Sequence, residues 1–413
     1  MSNPTTANAA QLGAPLIVLL ALLTALDAMA IDMYLPGMAS IADDLGVSAG
    51  SVQQTLAIFL AGLAIGQCMY GPLLDRYGRR LPLLAGVVVF ILGSVGAAMA
   101  PTLEWLLIAR FVQAIGAAAG LVAPRAIVAD MCDVNSSARI FSLLMQVMMI
   151  APVLAPMMGS FVLTHGSWRI IFWVLAALAV VGLVWGMRSL PESLPKERRV
   201  ALSAGSIVRG YARQMRRRVF MLYTLAGGFV MSALFTYISG AAFIFTEYFS
   251  LSPALFSYLF AANSVGLIIG GMLSNALLSR GATAARVTYL GLGVHTLAGG
   301  LLFIAVLAGV APLPLYAGLL GIAIGALGLI IGNLIALTMN NGGAQSGVAS
   351  ALMGTMHYLV AAVVGYVASL AAQPAHAMPL ALALCGVAGI VLCRLADAGV
   401  EPDQTEADAY NAV

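Results

Sequence analysis

Gly71-Pro72-Leu73-Leu74-Asp75-Arg76-Tyr77-Gly78-Arg79-Arg80 lies between two apolar runs, at roughly 52–74 and 81–100. As helices rising about 1.5 Å per residue, both runs can cross the ~30 Å hydrocarbon core of a bilayer. The charged stretch is therefore a turn at the membrane edge. Asp75, at a helix end, can accept hydrogen bonds from a neighbouring helix terminus or pair with Arg79. Gly71 is expected to allow close packing and Gly78 a tight turn. A charge-linked latch of this kind, built on Asp75, Arg76 and Arg79, can hold one conformation of a bundle and break in another. The plainer alternative is that the arginines only fix orientation.

Outward from this turn the pattern repeats. Further apolar runs fall at 16–42, 103–128, 138–163, 169–190, 219–246, 254–279, 285–308, 311–338, 347–371 and 377–396, making twelve expected spans. Of the 413 residues 62% are hydrophobic and 8% charged, where a soluble domain carries about 25% charged residues. The mean hydropathy is +1.00. The chain reads as an integral membrane protein, and its 44 glycines suit closely packed membrane helices. Ala28-Met29-Ala30 looks like a cleavage site. No Lys or Arg precedes the first run, however, and acids sit inside it, so a retained first helix is expected. Cys68, Cys132, Cys385 and Cys393 form no disulfide framework and no metal spacing.

Orientation follows from the 19 basic residues. With both termini in the cytoplasm, Arg110 lies in a span and Arg169 in an outer loop. The rest, including Arg139, Arg280 and Arg286, fall on the cytoplasmic side. The formal charge of +3 thus concerns topology rather than nucleic acid. The longest polar interruption, 191–218, is rich in arginine and divides the spans six and six. It separates residues 1–190 from 219–397. From Ser203 it can form an amphipathic helix against the inner leaflet, or it is a solvated linker. The acidic tail, 398–413, is expected to be disordered.

The first span, Pro15 to Pro36, contains two acids, Asp27 and Asp32. A carboxylate at membrane depth costs at least about 2.5–3.5 kcal/mol, so such residues usually face a partner or a wet cavity and handle protons, ions or substrate. That is the signature of a transporter.

The opening turn resembles the loop signature of the major facilitator superfamily, Gly-x-x-x-Asp-Arg-x-Gly-Arg-Arg. In the fourth span, Arg110-Phe111-Val112-Gln113-Ala114-Ile115-Gly116 is similar to that family's intramembrane arginine motif. The fifth span carries Ala151-Pro152-Val153-Leu154-Ala155-Pro156-Met157-Met158-Gly159-Ser160. It resembles the antiporter motif Gly-x-x-x-Gly-Pro-x-x-Gly-Gly, with alanines for the first two glycines and Ser160 for the last. Pro152 and Pro156 bend this helix by removing backbone donors, either for gating or simply for packing. With Ile31-Asp32-Met33-Tyr34-Leu35-Pro36-Gly37 at the end of span one, the chain resembles the Bcr/CflA branch of drug:proton antiporters. Some members of that branch carry nucleosides or other metabolites.

The resemblance implies an all-α fold of twelve transmembrane helices in two six-helix halves, with the first and fourth helices lining a central cavity. By helix rise, Asp32 lies about 6 Å from the outer end and Asp27 about 13 Å, with Arg110 at about 10 Å and Gln113 at about 15 Å. Asp32 and Arg110 are therefore expected to be the coupled pair, with Asp27 and Gln113 just below. Five residues turn a helix by about 140°, so Asp27 and Asp32 point to different places. A fixed cation holds a carboxylate ionised, while a closed, dry cavity favours its proton; a site alternating between the two carries protons. The alternative is a static buried ion pair.

A drug pocket needs apolar lining with a few polar groups. Candidates are Tyr34, Gln54, Gln113, Gln146, Phe235, Tyr237, Phe243, Tyr258, Asn263, Asn333, His357 and Tyr358, beside a Met145, Met148, Met149, Met157, Met158 cluster. The expected function is proton-coupled export of small drugs, amphenicol- or bicyclomycin-like, across a bacterial inner membrane by a monomer. No cofactor, metal or nucleic acid is expected. The rival is a proton-coupled metabolite or nucleoside carrier. No Ser-His-Asp order, metal spacing or nucleotide loop supports an enzyme.

Overall fold

The computed structural model describes residues 13–131, 134–199, 204–342, 346–371 and 373–399. The tail beyond residue 399, Cys132, and the side chains of Gln146, Arg139, Met145, Met148 and Met149 lie outside what is described. Among the described residues every regular element is helical. In chain order they are α1 (Ala14–Asp32), α2 (Met38–Leu45), α3 (Ala49–Tyr77), α4 (Arg80–Ala98), α5 (Leu103–Met131), α6 (Val134–His165) and α7 (Arg169–Ser189). The second series is α8 (Ala204–Met215), α9 (Arg218–Phe243), α10 (Pro253–Ser279), α11 (Ala284–Leu307), α12 (Leu313–Asn340), α13 (Ser346–Ser369) and α14 (Pro374–Asp397). Among the described residues eleven stretches are long and apolar enough to cross a membrane, and Ile150–His165 within α6 is a shorter apolar one. With α6 completing the set, the architecture is the twelve-helix bundle.

Local chemistry starts several of these helices. Ser48, Ser252 and Thr283 each accept an amide hydrogen bond three residues on, at 3.2, 3.2 and 3.3 Å, which caps α3, α10 and α11. Pro15, Pro253 and Pro374 occupy first-turn positions where the missing N–H costs nothing. The first apolar run is not one helix. It stops at Asp32, passes through a 3-10 turn at Leu35–Gly37 and resumes as the short α2. Pro36 cannot donate a backbone hydrogen bond, so α1 ends before it.

In the first half, α5 packs on α3, α4 and α1, α6 and α7 flank α1, and α4 lies on α7. In the second, α9 packs on α13 and α14, and α12 on α10 and α11. Small residues permit the closeness: a Cβ on Gly62 or Gly66 would stand 2.7 or 2.6 Å from the Cβ of Ala114 or Ala118 on α5. The halves meet where α3 lies on α13 and α6 on α10. Helix α8 packs on α13 and α9, and its Tyr211 reaches Cys68 of α3.

Candidate functional site

Arg110, on α5, is fully buried. Its Nη1 donates to the Ala30 carbonyl at 3.0 Å and to Gln113 Oε1 at 2.6 Å. Helix α1 ends two residues after Ala30, so this carbonyl is among the last four that a helix leaves without an amide partner. A cation there also meets the negative end of the helix dipole. Gln113 passes the chain on, donating from Nε2 to Ser94 Oγ at 2.8 Å, and Ser94 in turn donates to the Phe90 carbonyl at 2.8 Å. The guanidinium carbon lies 4.1 Å from the ring centre of Phe59, 4.5 Å from Tyr34 and 5.7 Å from Phe172. Arg110 is thus held by a carbonyl, an amide and an aromatic box, and its Nε and Nη2 have no hydrogen-bond partner among the described residues.

Asp27 and Asp32 are both buried, and Oδ1 of each has no hydrogen-bond partner among the described residues. The expected direct pairing of Asp32 with Arg110 is not made there. The orphan carbonyl at the end of α1, the Gln113 amide and the aromatic box take the guanidinium instead. Asp27 lies in the electrostatic reach of Arg110 and of Arg125 further along α5, while Asp32 lies near Asp27 and Tyr237. The acid outside the motif is therefore the one that feels Arg110. Arg125 is exposed, and its charge also reaches Tyr358 of the second half.

The other candidates sort by what they touch. Tyr34 is buried, its ring under Arg110 and its hydroxyl 3.0 Å from Thr55 Oγ1, so it supports the arginine. Gln113 is consumed by the Arg110 chain. Tyr237 accepts from Asn263 Nδ2 at 3.1 Å and stacks on Phe260 with ring centres 5.3 Å apart. The Phe235 ring centre lies 5.8 Å from that of Tyr358, and buried His357 keeps Nε2 without a hydrogen-bond partner among the described residues. Gln54 is half-buried and Phe243 buried. Tyr258 is instead exposed at 61%, and Asn333 ties α12 to α10 through Ser274 at 2.7 Å.

At one end of the bundle, Arg79 Nη1 pairs with Asp75 at 2.6 Å and Nε with Asp130 at 2.8 Å. Burial works against this charge, but the hydrogen bonds and charges of Asp130 and Asp75 outweigh it and push the arginine pKa up. Ser193 donates to Asp130 at 3.1 Å, and Glu192 accepts from the Arg79 amide at 2.8 Å. Gly78 needs to be glycine twice over: its φ is +90°, and a Cβ would stand 2.2 Å from a Glu192 oxygen. A Cβ on Gly71 would meet nothing within 4 Å, so close packing is not its role. Arg76 is exposed, with its guanidinium 5.2 Å from the Tyr77 ring centre.

The opposite end is closed. Ser257 of α10 donates to the Pro156 carbonyl of α6 at 3.1 Å, and the turn at Leu35–Gly37 touches α9 and α10. A Cβ on Gly159 would fall 1.8 Å from the Met33 carbonyl, and one on Gly50 2.3 Å from the Ser369 carbonyl. Arg169 binds Asp44 at 2.5 Å and the Ala100 carbonyl at 3.0 Å, tying α7 to α2 and to the end of α4.

Residues 20–366 match the family model described as Major Facilitator Superfamily. The chain belongs to the major facilitator superfamily. This is a family of transporters, not enzymes. The chain is 34% identical over 360 residues to an uncharacterized MFS-type transporter, YdgK, of Bacillus subtilis, covering 84% of this chain and 87% of that one. It is 27% identical over 376 residues to a bicyclomycin resistance protein homolog of Haemophilus influenzae, covering 91% and 94%. In fold it is similar to a D-xylose-proton symporter, with TM-score 0.73 at 15% identity over 92% of this chain and 96% of that structure.

Within the superfamily frame, Asp130, Glu192, Ser94, Phe59 and the Asp44–Arg169 pair are contacts that sequence reasoning missed. Arg169 carried a signal, as the single basic residue expected in an outer loop. Ser94 and Phe59 had none, because one serine or phenylalanine in an apolar span looks like any other, and Asp44, Asp130 and Glu192 meet partners too distant in sequence for spacing to show.

Proposed function

We propose that this superfamily transporter exports small drugs from a bacterial cytoplasm in exchange for protons, by alternating access. The observation that carries the reading is a set of buried titratable side chains that form no ion pair with one another among the described residues. Asp27 and Asp32 each keep an oxygen without a hydrogen-bond partner among the described residues, and Arg110 is engaged by neutral groups. Burying unpaired charge is expensive, and a static fold would gain by pairing or removing it. A carrier needs the opposite, carboxylates free to exchange a proton for substrate. Asp27 and Asp32 are the proton carriers, and Arg110 is the fixed charge that biases Asp27.

The pocket is assigned to Gln54, Phe235, Tyr237, Asn263, His357 and Tyr358. The Asp75–Arg79–Asp130 cluster is the cytoplasmic latch, and Pro152, Pro156 and Gly159 belong to the outer gate. Clustering of arginines at the latch end supports an inner-membrane topology with both termini in the cytoplasm. The kinship to a bicyclomycin resistance protein homolog supports antibiotics of bicyclomycin or amphenicol type as substrates.

The test is drug susceptibility of an efflux-deficient bacterium expressing wild type, Asp27→Asn or Asp32→Asn at matched levels. The panel comprises chloramphenicol, florfenicol, bicyclomycin and cationic dyes. The reading expects wild type to raise resistance to at least one compound and each variant to abolish it. Resistance to none would assign the chain to metabolite or nucleoside transport.

A further inference from the structure

A cavity of about 500 Å3 lies far from the buried acids, between α11 and α14 at the arginine-rich end, lined by Tyr289, Gly293, Ile390 and Arg394. Its walls follow from helix spacing. Tyr289 and Gly293 lie four residues apart on α11, and Ile390 and Arg394 four apart on α14. Gly293 forms an open floor, since a Cβ there would meet nothing within 4 Å. Flanking Leu290, Leu297, Val387 and Val391 are 50%, 68%, 47% and 49% exposed, so the groove opens toward lipid. It reaches Gly293, nine residues from the start of α11, about 13 Å along the helix.

Arg394 stands at its mouth, with the Asp397 carboxylate about one helical turn away on α14. Both oxygens of Asp397, the nearby acid on α14, accept tyrosine hydroxyls, one from Tyr223 and the other from Tyr289 at 2.6 Å. Arg394 is exposed and has no ion pair among the described residues. Arg280 and Arg286 lie at the same end, both exposed.

We propose that this groove binds one anionic phospholipid, its headgroup phosphate on Arg394 and an acyl chain over Gly293 and Ile390. A basic side chain over an apolar cleft at the membrane edge fits such a lipid, since cytoplasmic-leaflet anionic headgroups attract basic residues. A free phosphate would leave the apolar floor unused, and a zwitterionic lipid would leave the arginine's charge without a net counterion.

The full-length protein in detergent can be titrated with phosphatidylglycerol, phosphatidylcholine or inorganic phosphate, and read by native mass spectrometry and thermal unfolding. Wild type is expected to retain one phosphatidylglycerol in preference to phosphatidylcholine and to gain thermal stability from it. Arg394→Gln should weaken retention about fivefold, Arg394→Lys should restore most of it, and Gly293→Leu should fill the floor and abolish it. Both impaired variants are to elute as wild type does in size exclusion. Equal retention by Arg394→Gln and Gly293→Leu would overturn the proposal. So would equal stabilisation by phosphatidylcholine, or by inorganic phosphate alone.

Discussion

Replacing Gln113 with leucine would strip Arg110 of its side-chain acceptor and leave the Ser94 hydroxyl without the donor it accepts from. Leaving buried polar groups unmatched costs about 1–3 kcal/mol, so Gln113→Leu should lower the unfolding temperature in nanodiscs; an unchanged midpoint would remove the chain's structural role. Arg110→Lys tests the aromatic box. Lysine keeps the charge but lacks the flat guanidinium that lies over Phe59 and Tyr34 while donating to two acceptors. Transport should fall at least about tenfold with membrane insertion intact, and full activity would mean that charge alone matters. Depth at this scale was legible, because helix rise is constant: Arg110 does come level with the end of α1, as its bond to Ala30 shows. The azimuth was not. Which face of α1 meets α5 depends on packing of several helices, so the Ala30 carbonyl could not be told from the Asp32 carboxylate as the partner.

Helix ends and crossings show the same division. The turn from Gly71 to Arg80 was readable because its Asp75–Arg79 pair is local, one helical turn apart. Asp130 and Glu192 join it from 51 and 113 residues away, a separation that no spacing rule spans. The cluster makes a graded prediction. The Asp75 side chain is 57% exposed and Asp130 23%, and exposed ion pairs contribute little. Asp130→Asn should therefore slow transport and lower thermal stability more than Asp75→Asn, with both inserted normally; the reverse order would displace Asp130 from the centre of the latch. The antiporter-like stretch is also mixed. Gly159 lies hard against the Met33 carbonyl, whereas alanines serve at the two earlier glycine positions. Gly159→Ala should push α6 off α1 and impair transport, and wild-type transport would leave Gly159 without a gating role.

Across the whole molecule, the twelve spans were legible from apolar length alone, since an element that crosses a bilayer must satisfy its backbone internally. The closed end was not, because it rests on contacts between halves such as Ser257 to Pro156 and Gly50 on the Ser369 carbonyl. Gly50→Leu should hold that end apart. Spin labels on Ser167→Cys and Ala254→Cys, in a background lacking the native cysteines, would then report longer distances than without the substitution; an unchanged distribution would mean that α3 and α13 do not gate. Alternating access in turn matters only if it moves protons against drug. The most direct test uses purified protein in proteoliposomes, with an acid-inside pH gradient driving drug accumulation. The account predicts gradient-dependent accumulation by wild type, and none by Asp27→Asn/Asp32→Asn, which still binds drug. Accumulation that survives collapse of the gradient, or persists in the double variant, would contradict it.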